Sequence, residues 1–100
     1  MLYLIHCYDG PDGLKHRAKF RERHFAYLEE QKDHLVLAGP TLSEDGSKPT
    51  GSLLVVEFKN LAEAEAFAEG DPYKKEGVFQ TVTIQPYKIV LPKENNIRIR

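Results

Sequence analysis

The sequence predicts an α+β domain in which a four-stranded antiparallel sheet carries two helices on one face. Three observations predict this fold. Strand-like and helix-like stretches follow the order β-α-β-β-α-β, each junction between them carries its own breaker or capping residue, and a chain of 100 residues has room for only one core. This order is that of the ferredoxin-like, split-βαβ pattern.

The N-terminal third of the chain predicts a strand followed by a long helix. Aromatic and β-branched residues indicate the strand over Leu2–Tyr8. A loop follows, in which Asp12 is a candidate helix N-cap. Helical spacing then runs from Leu14 to about Lys32, and its apolar side is formed by Leu14, Ala18, Phe25 and Leu28.

Two further strands are expected in the middle of the chain. The second strand, Leu35–Ala38, should stop at Gly39 and Pro40, because these two residues together are a strong breaker. A polar loop, Ser43–Thr50, joins it to the third strand, Ser52–Phe58. The loop contains both glycine and proline, which is typical of a turn between two strands.

A second helix and a last strand complete the predicted domain. Asn60 and Glu63 give the helix a capping-box start, and the helix should end before Asp71-Pro72. The last strand runs from about Val78 to Leu91, and Pro86 within it implies a bulge or an edge position. The domain is therefore assigned to residues 1–91, with a polar tail over residues 92–100.

The predicted strands carry apolar residues on both faces. Leu2–Ile5 and Leu53–Val56 are apolar without interruption, whereas a sheet that is covered on one side alternates with polar residues. Two helices cover one face, so we expect a homodimer in which a second copy packs its sheet against the other face. The alternative is a monomer with an exposed apolar patch, which soluble proteins avoid.

Composition excludes several classes of protein. A formal net charge of −1, with dispersed basic residues, argues against nucleic-acid binding. No apolar stretch is long enough to span a membrane, and we expect no signal peptide. The single cysteine, Cys7, excludes an internal disulfide and fits a reducing cytoplasm, where it is interpreted as a small core residue. No metal-binding histidine spacing is present, so neither a metal nor a cofactor is expected.

His24 and Asp71 are the candidate catalytic residues. On a helical wheel Arg17, Arg21, His24 and Leu28 share one stripe of the first helix, with His24 at its edge. A histidine beside a carboxylate is a common acid/base near neutral pH. Asp71 follows the C-terminus of the second helix, where the helix dipole disfavours a carboxylate. The alternatives are a partly buried structural histidine and an ordinary Asp-Pro turn.

Four other residues are candidates for binding a ligand. Arg21 lies between apolar residues of the first helix, so we expect it to meet a carboxylate, backbone carbonyls or an anionic ligand, unless its head group reaches water. Tyr73 is placed to donate a hydrogen bond or to pack, and Gly39 and Pro40 either approach a ligand closely or simply end a strand.

In its motifs the chain resembles the YciI-like (YCII-related) family from about Leu2 to Val90. The resemblance is carried by the order and spacing of five short strings: Arg21-x-x-His24-x-x-Tyr27-Leu28, Ala38-Gly39-Pro40, Gly51-Ser52-Leu53, Asp71-Pro72-Tyr73-x-x-x-Gly77-Val78-Phe79 and Ile84-Gln85-Pro86-Tyr87. It implies a dimeric α+β barrel and an active site formed by a His–Asp pair, which falls on His24 and Asp71. A related dehydrochlorinase acts on a chlorinated hydroxyquinol.

Residues and resemblance together predict a small cytoplasmic enzyme of lyase or isomerase type that needs no cofactor. His24 would take a proton from a small anionic or phenolic substrate, and Asp71 would orient the imidazole. Two alternatives stay open: a non-catalytic small-molecule binder or accessory subunit that uses the same cleft, and a structural dimerisation module in which Arg21 and Asp71 form a buried ion pair.

Overall fold

The computed structural model describes residues 1–92 and confirms the β-α-β-β-α-β order. Its elements are β1 (Leu2–Asp9), α1 (Gly13–Glu30), a 3-10 turn (Lys32–His34), β2 (Leu35–Leu42), β3 (Pro49–Glu57), α2 (Leu61–Gly70), α3 (Pro72–Lys75) and β4 (Phe79–Tyr87). The strands form one antiparallel sheet in the order β2-β3-β1-β4. Most of the predicted C-terminal tail lies outside the described residues, and the domain boundary at residue 91 stays a prediction.

The core lies between the sheet and the helices. Alternate residues of β1, namely Tyr3, Ile5 and Cys7, are buried beside Leu54 and Val56 of β3. Helix α2 covers them with Ala64, Phe67 and Ala68. No helix within residues 1–92 is long and apolar enough to cross a membrane.

The other face of the sheet is also apolar at its centre. Leu4 pairs with Val55 and His6 with Leu53, so these residues point away from the helix-facing row of β1. Toward the sheet ends, Tyr8 and Tyr87 are almost half exposed. Both faces of the central strands therefore carry apolar side chains, as the sequence predicts. The second copy that would cover this face stays a prediction.

The start of α2 is confirmed, whereas that of α1 is not as predicted. Asn60 accepts a hydrogen bond from the Glu63 backbone at 3.0 Å, and the Glu63 side chain accepts one from the backbone of Lys59, the residue before the cap, so the pair resembles a capping box. Asp12 makes no side-chain cap bond. Instead α1 begins at Gly13, which lies directly against Asp9. A Cβ at this position would lie only 2.7 Å from the Asp9 Cβ, so the close approach requires glycine.

Two predicted strand limits are wrong. Strand β2 continues through Gly39 and Pro40 to Leu42, and Pro40 pairs with Ser52. An edge strand tolerates proline, because a missing N–H that points away from the sheet costs no ladder bond. Strand β4 ends at Tyr87 rather than Leu91; it is the other edge strand, which agrees with the position inferred for Pro86.

Helix α3 was not predicted. The sequence analysis placed only a turn at Asp71-Pro72-Tyr73, but Pro72 begins a one-turn helix, in agreement with the preference of proline for the first helical position. Asp71 is its N-cap and accepts a hydrogen bond from the Tyr73 backbone at 2.9 Å. The carboxylate therefore lies at a favourable helix N-terminus, which corrects the expectation that the helix dipole disfavours it.

The interior position of Cys7 makes a testable prediction. Burial, reinforced by the negative charge of Asp71, raises the pKa of the Cys7 thiol from 9.0 to about 12. At pH 8 iodoacetamide should therefore alkylate the folded protein at least ~100-fold more slowly than the urea-denatured chain. Because the unfolded thiol ionises first, stability should also fall as the pH rises above about 9. Equal labelling rates in the two states would contradict this assignment.

Candidate active site

A cavity of about 500 Å³ opens between α1 and the β2–β3 side of the sheet. Its walls are largely apolar and include Leu14, Phe25, Leu28, Leu54, Pro40 and Pro49. Four polar side chains also reach it, namely Arg17, Arg21, His24 and Ser52. A concave apolar site of this size with a few convergent polar groups is typical of a small-molecule site.

His24 and Asp71 meet in the interior, as the sequence analysis expects. Nδ1 of His24 lies 2.7 Å from Oδ1 of Asp71, and the two residues are only 5% and 4% exposed. Because a carboxylate can only accept, we assign the proton of this bond to Nδ1. The second ring nitrogen, Nε2, is thereby left to the cavity that His24 lines.

Local structure holds Asp71 in this position. The same oxygen, Oδ1, accepts the Tyr73 backbone N–H and the His24 ring N–H, so the N-cap of α3 and the histidine share one acceptor. The chain between α2 and α3 bends at Asp71, because Pro72 prevents α2 from continuing. The turn at Asp71-Pro72 therefore both ends α2 and positions the carboxylate.

Tyr73 presents its ring to the site. The ring stacks on His24 with centroids 3.8 Å apart and an interplanar angle of 4°. Its hydroxyl donates to the backbone carbonyl of Arg17 at 3.3 Å. Burial raises the pKa of Tyr73, with Arg17 and Arg21 acting in the opposite direction, so the phenol stays neutral near pH 7. The stack fixes the plane of the imidazole.

Arg17, rather than Arg21, is the buried arginine of α1. Its Nε and Nη2 donate to the two oxygens of Asp9 at 2.7 and 3.0 Å, and Nη2 also lies 2.7 Å from the Gly51 carbonyl and 3.0 Å from Ser52 Oγ. The side chains of Arg17 and Asp9 are 11% and 8% exposed. The prediction of a paired arginine named Arg21, whereas the structure forms this pair at Arg17, one turn earlier on α1.

Arg21 lies over the open part of the cavity. Its side chain is exposed, with the guanidinium carbon 4.9 Å from the centre of the Phe25 ring. No carboxylate or backbone carbonyl among residues 1–92 pairs with it, which agrees with the alternative that its head group reaches water. An anionic ligand stays a prediction for this residue.

Gly39 and Pro40 reach the site from β2, whereas the histidine of β1 lies on the other face of the sheet. Gly39 and Pro40 do line the cavity, and a Cβ at Gly39 would meet no atom within 4 Å, so the space beside it is open. His6 does not reach the cavity: it stacks on Tyr8 on the opposite face, with ring centroids 4.1 Å apart. No group of His, Cys, Asp or Glu within the described residues is arranged to hold a metal ion.

Known proteins resemble this chain in sequence and in fold over most of its length. The family model of the YCII-related domain matches residues 1–88. Protein YciI of Escherichia coli O6:H1 is 38% identical over 90% of this chain and 99% of its own length, and an uncharacterized protein of Haemophilus influenzae is 36% identical over the same shares. A solved structure of 5-chloro-2-hydroxyhydroquinone dehydrochlorinase from Burkholderia phenoliruptrix, in complex with 2,5-dihydroxybenzoquinone, is 35% identical and has a TM-score of 0.82 over 96% of this chain and all of its own.

The different roles of the two arginines predict different effects on stability. Arg17→Ala should lower the free energy of unfolding by about 3–5 kcal/mol, because it leaves Asp9 charged, buried and unpaired. Arg21→Ala, the matched control one turn further along α1, should change it by less than ~0.5 kcal/mol. Urea unfolding followed by far-UV circular dichroism measures both. Similar losses for the two variants would refute the burial-based distinction.

Proposed function

The chain belongs to the YCII-related family, and we propose that it is a cofactor-independent enzyme of lyase or isomerase type that moves a proton of a small substrate through His24 and Asp71. The observation that carries the proposal is the 2.7 Å bond between these two buried side chains at the wall of the cavity. A carboxylate behind a cavity-facing histidine is the arrangement of a general base.

Each neighbour of His24 has a defined part in the proposed step. Nε2 takes the substrate proton, and the imidazolium that forms is stabilised by the Asp71 carboxylate through Nδ1–H. The ring face of Tyr73 lies against that cation, which adds a favourable electrostatic contact and keeps the imidazole plane fixed. Later His24 returns the proton to the product or to water.

The cavity favours a small ring compound that carries negative charge. Apolar side chains such as Phe25 and Pro40 suit the faces of a planar ring, and the open space at Gly39 leaves room for it. Arg21, which pairs with no carboxylate within residues 1–92, supplies a cation beside Phe25. The similar dehydrochlorinase is named for a chlorinated hydroxyhydroquinone, and its solved structure is a complex with 2,5-dihydroxybenzoquinone. We therefore propose a phenolic or otherwise anionic substrate of this size.

The same proposal includes a homodimer. The sheet face opposite the helices has an apolar centre, including Leu4, Leu53 and Val55, and pairing with a second copy would remove it from water. A cytoplasmic location is also part of the proposal and is supported by the reduced, buried Cys7.

Turnover of the halogenated ring compound tests the proposed chemistry. With 5-chloro-2-hydroxyhydroquinone as substrate, the wild-type protein should accelerate chloride release. Moving a proton from a ring hydroxyl to the carbon that bears chlorine lets chloride leave, while a second hydroxyl gives its proton to water and the ring becomes a hydroxybenzoquinone. His24→Ala should lower kcat by about 10²–10⁴-fold, since it removes the base. Asp71→Asn should lower kcat by at least ~10-fold while leaving the fold intact, because the amide still caps α3. His16→Ala, on the same helix but outside the cavity, is the control.

Two results would contradict the catalytic assignment. Full activity of His24→Ala would show that another group is the base. Binding of 2,5-dihydroxybenzoquinone without turnover of any halogenated or hydroxylated analogue would instead favour the non-catalytic binder. Calorimetry of the same variants distinguishes these results, because it measures binding without chemistry.

Sedimentation equilibrium tests the homodimer. The protein should have twice the mass of one 11.4 kDa chain, and Leu53→Lys should shift it towards the monomer, because a charge would be buried at the centre of the paired sheets. Leu61→Lys replaces an exposed leucine at the start of α2 and serves as the matched control. A monomeric wild-type protein at micromolar concentration would refute this part of the proposal.

A further inference from the structure

One nitrogen of the Arg17 guanidinium, Nη1, takes no part in the hydrogen bonds that hold this side chain within residues 1–92. Nε and Nη2 are used by Asp9, Gly51 and Ser52. Nη1 makes no hydrogen bond within residues 1–92, yet no buried side-chain nitrogen in that range lacks a partner. Nη1 is therefore accessible, and the accessible space that Arg17 lines is the cavity. Its two N–H groups are available to a ligand.

Ser52 offers a second donor at the same place. Its Oγ accepts from Arg17 Nη2 at 3.0 Å, so its own proton must point elsewhere. No acceptor for that proton lies within hydrogen-bonding distance among the described residues, and the serine, which is only 5% exposed, lines the cavity. The neighbouring guanidinium polarises the hydroxyl and makes it a stronger donor.

The surroundings keep both donors in fixed positions. A Cβ at Gly51 would clash with the Cys7 carbonyl, so only glycine lets the backbone place its own carbonyl and the adjacent Ser52 against Arg17. Asp9 fixes the guanidinium from the other side. Donors that need no reorganisation are those that stabilise a developing charge most strongly.

We propose that Arg17 Nη1 and the Ser52 hydroxyl form an oxyanion subsite, which binds a phenolate or enolate oxygen of the substrate while His24 holds the proton. This inference rests on the proposed function and adds the group that receives the negative charge. Arg17 and Ser52 are then catalytic residues, because they touch the substrate, and Asp9 is a positioning residue.

Charge distinguishes this subsite from Arg21. Asp9 neutralises Arg17, so the subsite is a pair of polarised donors without net charge, which suits one oxygen whose charge is shared with a ring. Arg21 has no such carboxylate within the described chain and suits a permanent anion. The centre of the Tyr73 ring lies 3.8 Å from that of the His24 ring and 5.0 Å from the Arg17 guanidinium carbon, so both groups adjoin the same ring in the lining of one cavity.

Binding of 4-nitrocatechol tests the subsite, because its visible spectrum distinguishes phenol from phenolate without any turnover. The wild-type protein should bind the phenolate and lower the pH midpoint of the colour change by about one pH unit. Ser52→Ala should weaken binding about tenfold and move the midpoint back towards that of the free compound. Ser47→Ala, in the exposed loop between β2 and β3, should bind as the wild type does. Arg17→Lys, checked for folding by circular dichroism, should lose the shift as Ser52→Ala does.

The possible outcomes separate the subsite from the proposed reaction. Wild-type-like phenolate binding by Ser52→Ala, or failure of the wild type to bind the phenolate, would overturn the subsite even if His24→Ala has lost all turnover. Loss of phenolate binding in Ser52→Ala together with full turnover by His24→Ala would support the subsite and refute the assigned base.

Discussion

One carboxylate oxygen organises the candidate site. Oδ1 of Asp71 caps α3 and accepts a hydrogen bond from His24 Nδ1, so backbone geometry and the orientation of the imidazole depend on the same atom. Because the carboxylate is buried and already satisfied by the backbone of Tyr73, it has little freedom to turn away from the histidine. The Tyr73 ring, which that helix positions, then holds the imidazole plane. A catalytic role for the histidine would rest on this rigidity.

A second rigid unit faces the same cavity from the start of α1. The Arg17–Asp9 pair joins the end of β1 to the first turns of the helix and reaches the backbone of β3, so it also ties the helix to the sheet. His24 and Arg17 lie two helical turns apart on one side of α1, with Tyr73 in contact with both. In the proposed mechanism the proton acceptor and Arg17 lie along a single helix, Ser52 adds the second oxyanion donor from β3, and Arg21 carries a separate charge beside Phe25.

Local signals predicted the fold well where an element is long or its cap is strong. The cap at Asn60 and the order of helices and strands along the chain follow from residue patterns alone. The partnership of His24 with Asp71 depends on residues far apart in sequence and was indicated by family resemblance. A helical wheel gives the angle of a side chain but not its height above the sheet, so it selected Arg21 where the structure buries Arg17. Helix α3 is too short to show periodicity, and Pro40 was interpreted as a breaker because edge strands are not recognisable locally.

The tautomer of His24 decides whether Asp71 leaves Nε2 free to act as a base. Long-range proton–nitrogen correlation spectra at about pH 9, where an ordinary imidazole is neutral, report which ring nitrogen carries the proton. The account predicts that Nδ1 is protonated and Nε2 is free in the wild-type protein, and that Asp71→Asn redistributes the proton towards Nε2. A wild-type ring protonated at Nε2, or one unchanged by the substitution, would contradict the claim that Asp71 presents Nε2 to the cavity as a base.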